Sequence, residues 1–148
     1  MPDAATHLLT ARIAGGLLRR PEMRALLCLG VLWPDLLAKC TSIVLRCPEG
    51  FEIPSHSFVG LAVASAGAAM LFRPADRLGA WALLMAGSTL HLAADALKDF
   101  GVYGGLRLLY PFSAHGYSIG LFRSEDSAYL LPVAVLLLLL IDRRRRGS

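Results

Sequence analysis

Charge is the first thing this chain lacks. Of its 148 residues 18% are charged, against an average near 25% for soluble domains. Hydrophobic residues reach 55%, and the mean hydropathy is +0.55. A surface with so few charges is poorly suited to water, so the composition points to membrane residence. Cysteine is scarce as well. Cys28, Cys40 and Cys47 form no C-x-x-C pair, which excludes a thiolate zinc site of the usual spacing and any dense disulfide framework. Cys40 and Cys47 are close enough to pair if their loop faces an oxidising compartment; otherwise they are free thiols. The opening "MPDAATHLL" has no basic n-region, so no cleaved signal peptide is expected. No internal repeat is present, and the chain is one domain's length, residues 1–148. The net charge of +4 raises nucleic acid as a partner. However, the Arg runs "RR" at 19–20 and "RRRR" at 143–146 flank apolar segments and carry no interleaved aromatics. They read as cytoplasmic membrane flanks, and no nucleic acid is expected.

What is present is helical apolar sequence in five segments. The first runs from about Ala5 to Leu18 and ends in "RRPE". Pro21 can open the second, which runs to about Thr41 through the interruption "LWPDLL". "RCPEGFEIPSHS" then reads as an irregular loop. The third segment starts near Ser57 and stops at "RPADR"; the fourth runs from about Leu78 to Leu97. A long irregular connection follows, and the fifth is "AYLLPVAVLLLLLI", closed by "DRRRR". Small residues in the third and fourth (Gly60, Ala64, Gly67, Ala68, Gly79, Ala82, Ala86) suit close helix packing in lipid. About 15 residues of helix span only ~22 Å, short of a hydrocarbon core of ~30 Å; only the second and fourth approach a full crossing. The expected fold is all-α, an integral membrane bundle of about five helices. A soluble bundle with a very apolar core is the rival, and "VAVLLLLLI" ahead of four arginines argues against it.

In an up-and-down bundle the polar residues separate by end. His7 starts the first helix, Asp35 lies toward the far end of the second, His56 precedes the third, and His91 and Asp95 lie near the close of the fourth. The opposite end collects Arg19, Arg20, Arg24, Arg73, Arg77 and Arg143 to Arg146, with Glu22, Asp76 and Asp142 as its acids. The positive-inside rule then puts the arginines in the cytoplasm and the His/Asp end at the outer face of a multi-pass protein.

The stretch "GSTLHLAADALKDFG" carries His91 and Asp95 one helical turn apart. Such a pair can hold a metal ion, or simply satisfy a buried histidine. With His7, Asp35 and His56 it makes three imidazoles and two carboxylates converging from four helices. Carboxylates near lipid are costly unless paired or metal-bound. The mixed N/O set suits zinc, with manganese or iron as alternatives. Five donors exceed one tetrahedral site, so either two metals share a bridging carboxylate or one residue acts from outside the shell. A metal with an open position activates water toward an ester or phosphate. Taken singly, the residues have duller readings: His7 as an exposed N-terminal residue, Asp35 as a cap after the proline, His56 with Ser57 as a helix N-cap. His115 in "SAHGYS" is a marginal candidate, and Trp33, Tyr110 and Tyr117 are expected at the membrane interface.

"THLL", "GVLWPDLL", "PSHSFVG" and "GSTLHLAADALKDFGVYGGLRLLYPFS" together resemble the bacterial inner-membrane metal-dependent hydrolase family, the group that includes a LexA-regulated membrane protein. The matching positions are His7, Gly30 with Pro34 and Asp35, His56 with Ser57, His91 with Asp95, Gly101 and Pro111. Leu37 and Lys39 stand where that family often has a second acid, and "EIPS" replaces its Arg-Gly pair. The order of ligands is also similar to zinc-dependent phospholipase C enzymes. The resemblance implies a membrane-bound hydrolase of phosphoester or lipid-linked substrates, with His7, Asp35, His56, His91 and Asp95 as metal ligands and the lipid bilayer as partner. No separate catalytic base is assigned. The rivals are a non-catalytic membrane scaffold or partner-binding protein with a structural metal, and a small transporter, for which the absence of a repeat is unfavourable.

Overall fold

The computed structural model describes residues 4–16, 18–47, 53–101 and 104–123, with positions 136, 139 and 143. Among these, four α-helices carry the fold: α1 (Ala4–Gly15), α2 (Pro21–Lys39), α3 (Phe58–Ala69) and α4 (Arg77–Ala96). Two short strands follow, β1 (Lys98–Asp99) and β2 (Phe122–Arg123), paired in parallel. The expected fifth helix lies outside the described residues, apart from Leu136, Leu139 and Arg143, which are helical. The mostly helical class is as expected. One segment of the described residues, Pro21–Val44, is long and apolar enough to cross a membrane, and Phe58–Ala69 is a shorter apolar helix.

Helix α2 begins where proline at the first turn presets φ, with Glu22 at its positive end and Lys39 at its negative end. It does not break at "LWPDLL". It passes through Pro34 and continues into a π-helical turn, Cys40–Val44. A proline removes the bond to the carbonyl four residues back, here that of Gly30. Ser88 of α4 donates its hydroxyl to that carbonyl at 3.1 Å, so the orphaned acceptor finds its partner in the neighbouring helix. In the π turn Thr41 and Ser42 donate to carbonyls of Leu37 and Ala38, the back-bonding that loosens a helix end. The three cysteines are free thiols.

The α2–α4 contact is the centre of the fold, and it is a contact of backbones. A Cβ on Gly30 would meet the Leu84 carbonyl oxygen at 2.6 Å, and one on Gly87 would meet that of Leu27 at 2.4 Å. Only glycine at both positions allows this approach. Helix α1 packs mainly on α2, and α3 on α4. It ends at Gly15, three residues before the expected Leu18. At the arginine-bearing end, the guanidinium Nε of Arg24 donates to the Leu18 carbonyl and that of Arg77 to the Phe72 carbonyl, closing both helix turns.

Helix α3 is capped by Ser57, whose hydroxyl oxygen accepts from the Gly60 amide at 3.1 Å. Beyond α4 the irregular connection folds back. Amides of Ile119 and Leu121 donate to the carbonyls of Ala96 and Leu97 at the helix end, satisfying groups that every helix terminus leaves open. Leu106 bridges to Tyr117 and joins Leu61 and Leu92 in a small core. Trp33, expected at the interface, packs against that core instead. Much of the remaining exterior is apolar: Leu36, Ile43, Val44, Val63, Met70, Leu71 and Leu78 are all exposed.

Candidate metal centre

Close packing of α2 on α4 decides where His91 points. Its Nδ1 lies 2.8 Å from the Val31 carbonyl oxygen, one position beyond the carbonyl that Pro34 frees. A carbonyl only accepts, so Nδ1 carries a hydrogen, and in the neutral ring Nε2 presents a lone pair. That Nε2 is buried without a hydrogen-bond partner. It faces Asp95 Oδ2 at 3.1 Å and Asp35 Oδ1 at 3.8 Å. The i and i+4 spacing of His91 and Asp95 on α4 thus produces the expected shared face.

The other residues reach the same point from three elements. His56 sits on the 3-10 turn Pro54–His56. Its Nδ1 is 2.9 Å from the Ser55 hydroxyl, which leaves Nε2 toward Asp35 (3.6 Å) and Asp95 (3.9 Å). His7 comes from α1, stacked on His91 with ring centroids 4.0 Å apart, and its Nε2 lies 3.3 Å from Asp95 Oδ1. It is fully buried, so its dull reading as an exposed terminal residue does not hold. Asp35 lies inside α2 and caps nothing. Ser57, not His56, is the N-cap of α3.

All five residues are therefore brought together. Ligand atoms of His7, Asp35 and His91 lie within 4.8 Å of one another, as do those of His56, His91 and Asp95. Two donors on a tetrahedral ion at ~2.1 Å bonds are separated by about 3.4 Å. The observed spacings of 3.1 to 3.9 Å bracket that value. The donor set fits a divalent cation. The cluster is buried on the His7, His91 and Asp95 side, while the side chains of Asp35 and His56 keep 23% and 20% exposure. It opens at that edge alone among these five. His115 packs edge-on against Tyr117 and belongs to neither donor group.

Three supporting side chains escaped the sequence reading. Lys98 is buried and its ammonium donates to Asp95 Oδ1. Its signal was present as the spacing of three from Asp95, although α4 ends at Ala96 and Lys98 opens β1. Ser118 donates to the Lys98 carbonyl and holds β1 in place. Ser55 was hidden by its own neighbour: the "SHS" run drew attention to the cap and not to the residue orienting the imidazole.

The profile of the YdjM inner membrane protein family matches residues 1–148. The chain belongs to that family, and association with the lipid bilayer follows. No curated protein and no solved structure matches it.

Proposed function

We propose that this member of the YdjM inner membrane protein family is a membrane-bound metal-dependent hydrolase acting on phosphoester or lipid-linked substrates. Asp35, His56, His91 and Asp95 bind a divalent ion, with His7 completing the shell; zinc suits the donors best, with manganese and iron as alternatives. One observation carries the reading. With Nδ1 donating to Val31, the neutral imidazole of His91 turns its Nε2 lone pair toward two carboxylates at 3.1 and 3.8 Å. Acceptors set against acceptors in a buried place repel, and a shared cation removes the repulsion for all of them together.

An imidazole nitrogen has one lone pair, so it binds one metal. His91 is common to both donor groups, which favours a single ion per chain over a bridged pair. Such an ion would act as a Lewis acid and activate water for attack on an ester. The protein's own part is to orient the donors: Val31 and Ser55 turn the imidazoles, and Lys98 holds Asp95. The Asp35–His56 edge admits substrate. We further read the bundle as multi-pass, with Arg19, Arg20, Arg24, Arg73 and Arg77 in the cytoplasm and the cluster toward the outer face.

Elemental analysis of protein purified in detergent without chelator tests the centre. Wild type is expected to carry one divalent ion per chain and His91→Ala and Asp95→Ala none. Equal metal in all three refutes the centre. Turnover on phosphodiester, phosphomonoester and carboxylic-ester substrates then separates a hydrolase from a structural metal protein.

A further inference from the structure

A cavity of about 380 Å³ lies between α3 and the turn that carries His56, lined by the residues on either side of that histidine. Its walls come from three places: Pro54 and Ser57 on either side of His56, Val59, Val63 and Ala64 of α3, and Tyr110 of the returning connection. The volume is within the ordinary range for small-molecule sites. The lining has no charged side chain and almost no polar surface. A headgroup, sugar or phosphate would find nothing there to replace its water. Hydrocarbon would lose nothing by entering.

The cavity's position selects among apolar ligands. Val59 and Val63 line it and are themselves exposed on the outside of α3. Met70 and Leu71, just beyond that helix, are exposed as well. In a protein of an inner-membrane family this apolar exterior meets lipid, so the cavity is continuous with the bilayer-facing surface. Its other boundary, the Pro54–Ser57 turn, carries the ligand His56. The turn is fixed tightly: a Cβ on Gly60 would lie 2.0 Å from the Pro54 carbonyl oxygen. The Phe58 amide, donating to the Leu108 carbonyl at 3.0 Å, ties the Tyr110 side to the same place.

We propose that this cavity takes one acyl chain of a membrane lipid, entering sideways from the bilayer, and so presents the lipid's ester-bearing end to the Asp35–His56 edge. The substrate class is thereby narrowed to a lipid; this rests on the hydrolase reading above.

The test uses the full chain in lipid nanodiscs containing a phospholipid with a photoreactive diazirine midway along one acyl chain. Labelled residues are mapped by mass spectrometry, and metal content is measured on the same samples. Labelling at Val59, Val63, Ala64 and Tyr110 is expected about tenfold above that on the exposed α2 residues Leu29 and Leu36, one decade of occupancy. Ala64→Trp, which fills the cavity, is expected to remove the excess while leaving metal content unchanged. Val63→Trp, at a more exposed position, serves if the first variant does not fold. Even labelling over both faces, or an excess that survives the tryptophan, overturns the acyl site and leaves the metal centre standing. Groove labelling in wild type that carries no metal overturns the metal reading and keeps the acyl site.

Discussion

Replacing Gly87 by alanine adds one methyl group at the tightest point between α2 and α4. The new Cβ would lie 2.4 Å from the Leu27 carbonyl oxygen and 2.6 Å from the Val31 amide nitrogen, where ordinary contact begins at 3.4 Å. The neighbours are backbone, so no side chain can swing aside, and the helices must part by about 1 Å. Overpacking of this kind costs about 1–3 kcal/mol. The displacement also stretches the 2.8 Å bond from His91 to Val31 beyond hydrogen-bonding range. Metal affinity should then fall about 10–100-fold, the usual effect of losing a group that orients a ligand, although no ligand has been removed. Gly79→Ala is the control. It lies on the same helix, with nothing within 4 Å of the added Cβ, and should stabilise α4 by about 0.5–1 kcal/mol through helix propensity. Unfolding in a denaturing-detergent titration and metal titration of the refilled protein read both effects. If Gly87→Ala matches Gly79→Ala in either measurement, the close approach is not what sets the His91 geometry.

His91→Gln, which keeps a polar side chain of similar reach, should retain the fold by circular dichroism yet bind at least about tenfold less zinc; undiminished binding would remove His91 from the shell. Ser57→Ala removes the N-cap of α3 and should lower stability by about 1 kcal/mol, measured by the same detergent titration, with a weaker metal site because the His56 turn is no longer held. Lys98→Met takes the ammonium from buried Asp95 and should destabilise the metal-free protein by about 3 kcal/mol. Saturating zinc should shrink that deficit, since the ion neutralises the same carboxylate; an equal deficit with and without zinc argues that Asp95 is not a ligand.

Much of the cluster was readable from spacing. His91 and Asp95 stand one turn apart on a strongly helical stretch, and alternating helix direction puts His7, Asp35 and His56 at the same end. What spacing could not supply was the contact partner of each ring. Ser55 and Lys98 act on donors one and three positions away, whereas Val31, four before Asp35 on α2, orients the distant His91 through helix packing that no spacing reveals. Pro34 was the misleading residue. By itself it suggests a break and makes Asp35 look like a cap. The chain avoids the break because another helix supplies the hydrogen bond the proline removes, which no local rule can see. The glycines expected to pack in α3 and α4 are not the ones that do: a Cβ at Gly67 or Gly79 meets nothing within 4 Å, and one at Gly60 meets the Pro54 turn. The pair that matters most, Gly30 with Gly87, joins a residue noted only as part of the resemblance to one not singled out for packing at all. The fifth segment lies outside the described residues, apart from three helical positions.

The continuous helix through Pro34 carries a trade-off. With alanine there, the Gly30 carbonyl would close its bond within its own helix, and α2 would become the better helix as an isolated segment. Ser88 would then have no vacancy to answer, and α4 would lose one of the two polar grips that fix its height along α2. A flaw in one helix thus works as an address for the other: it sets the docking register, and through His91 it aligns the donors. Selection for a sturdier α2 and selection for a well-aimed imidazole pull position 34 in opposite directions.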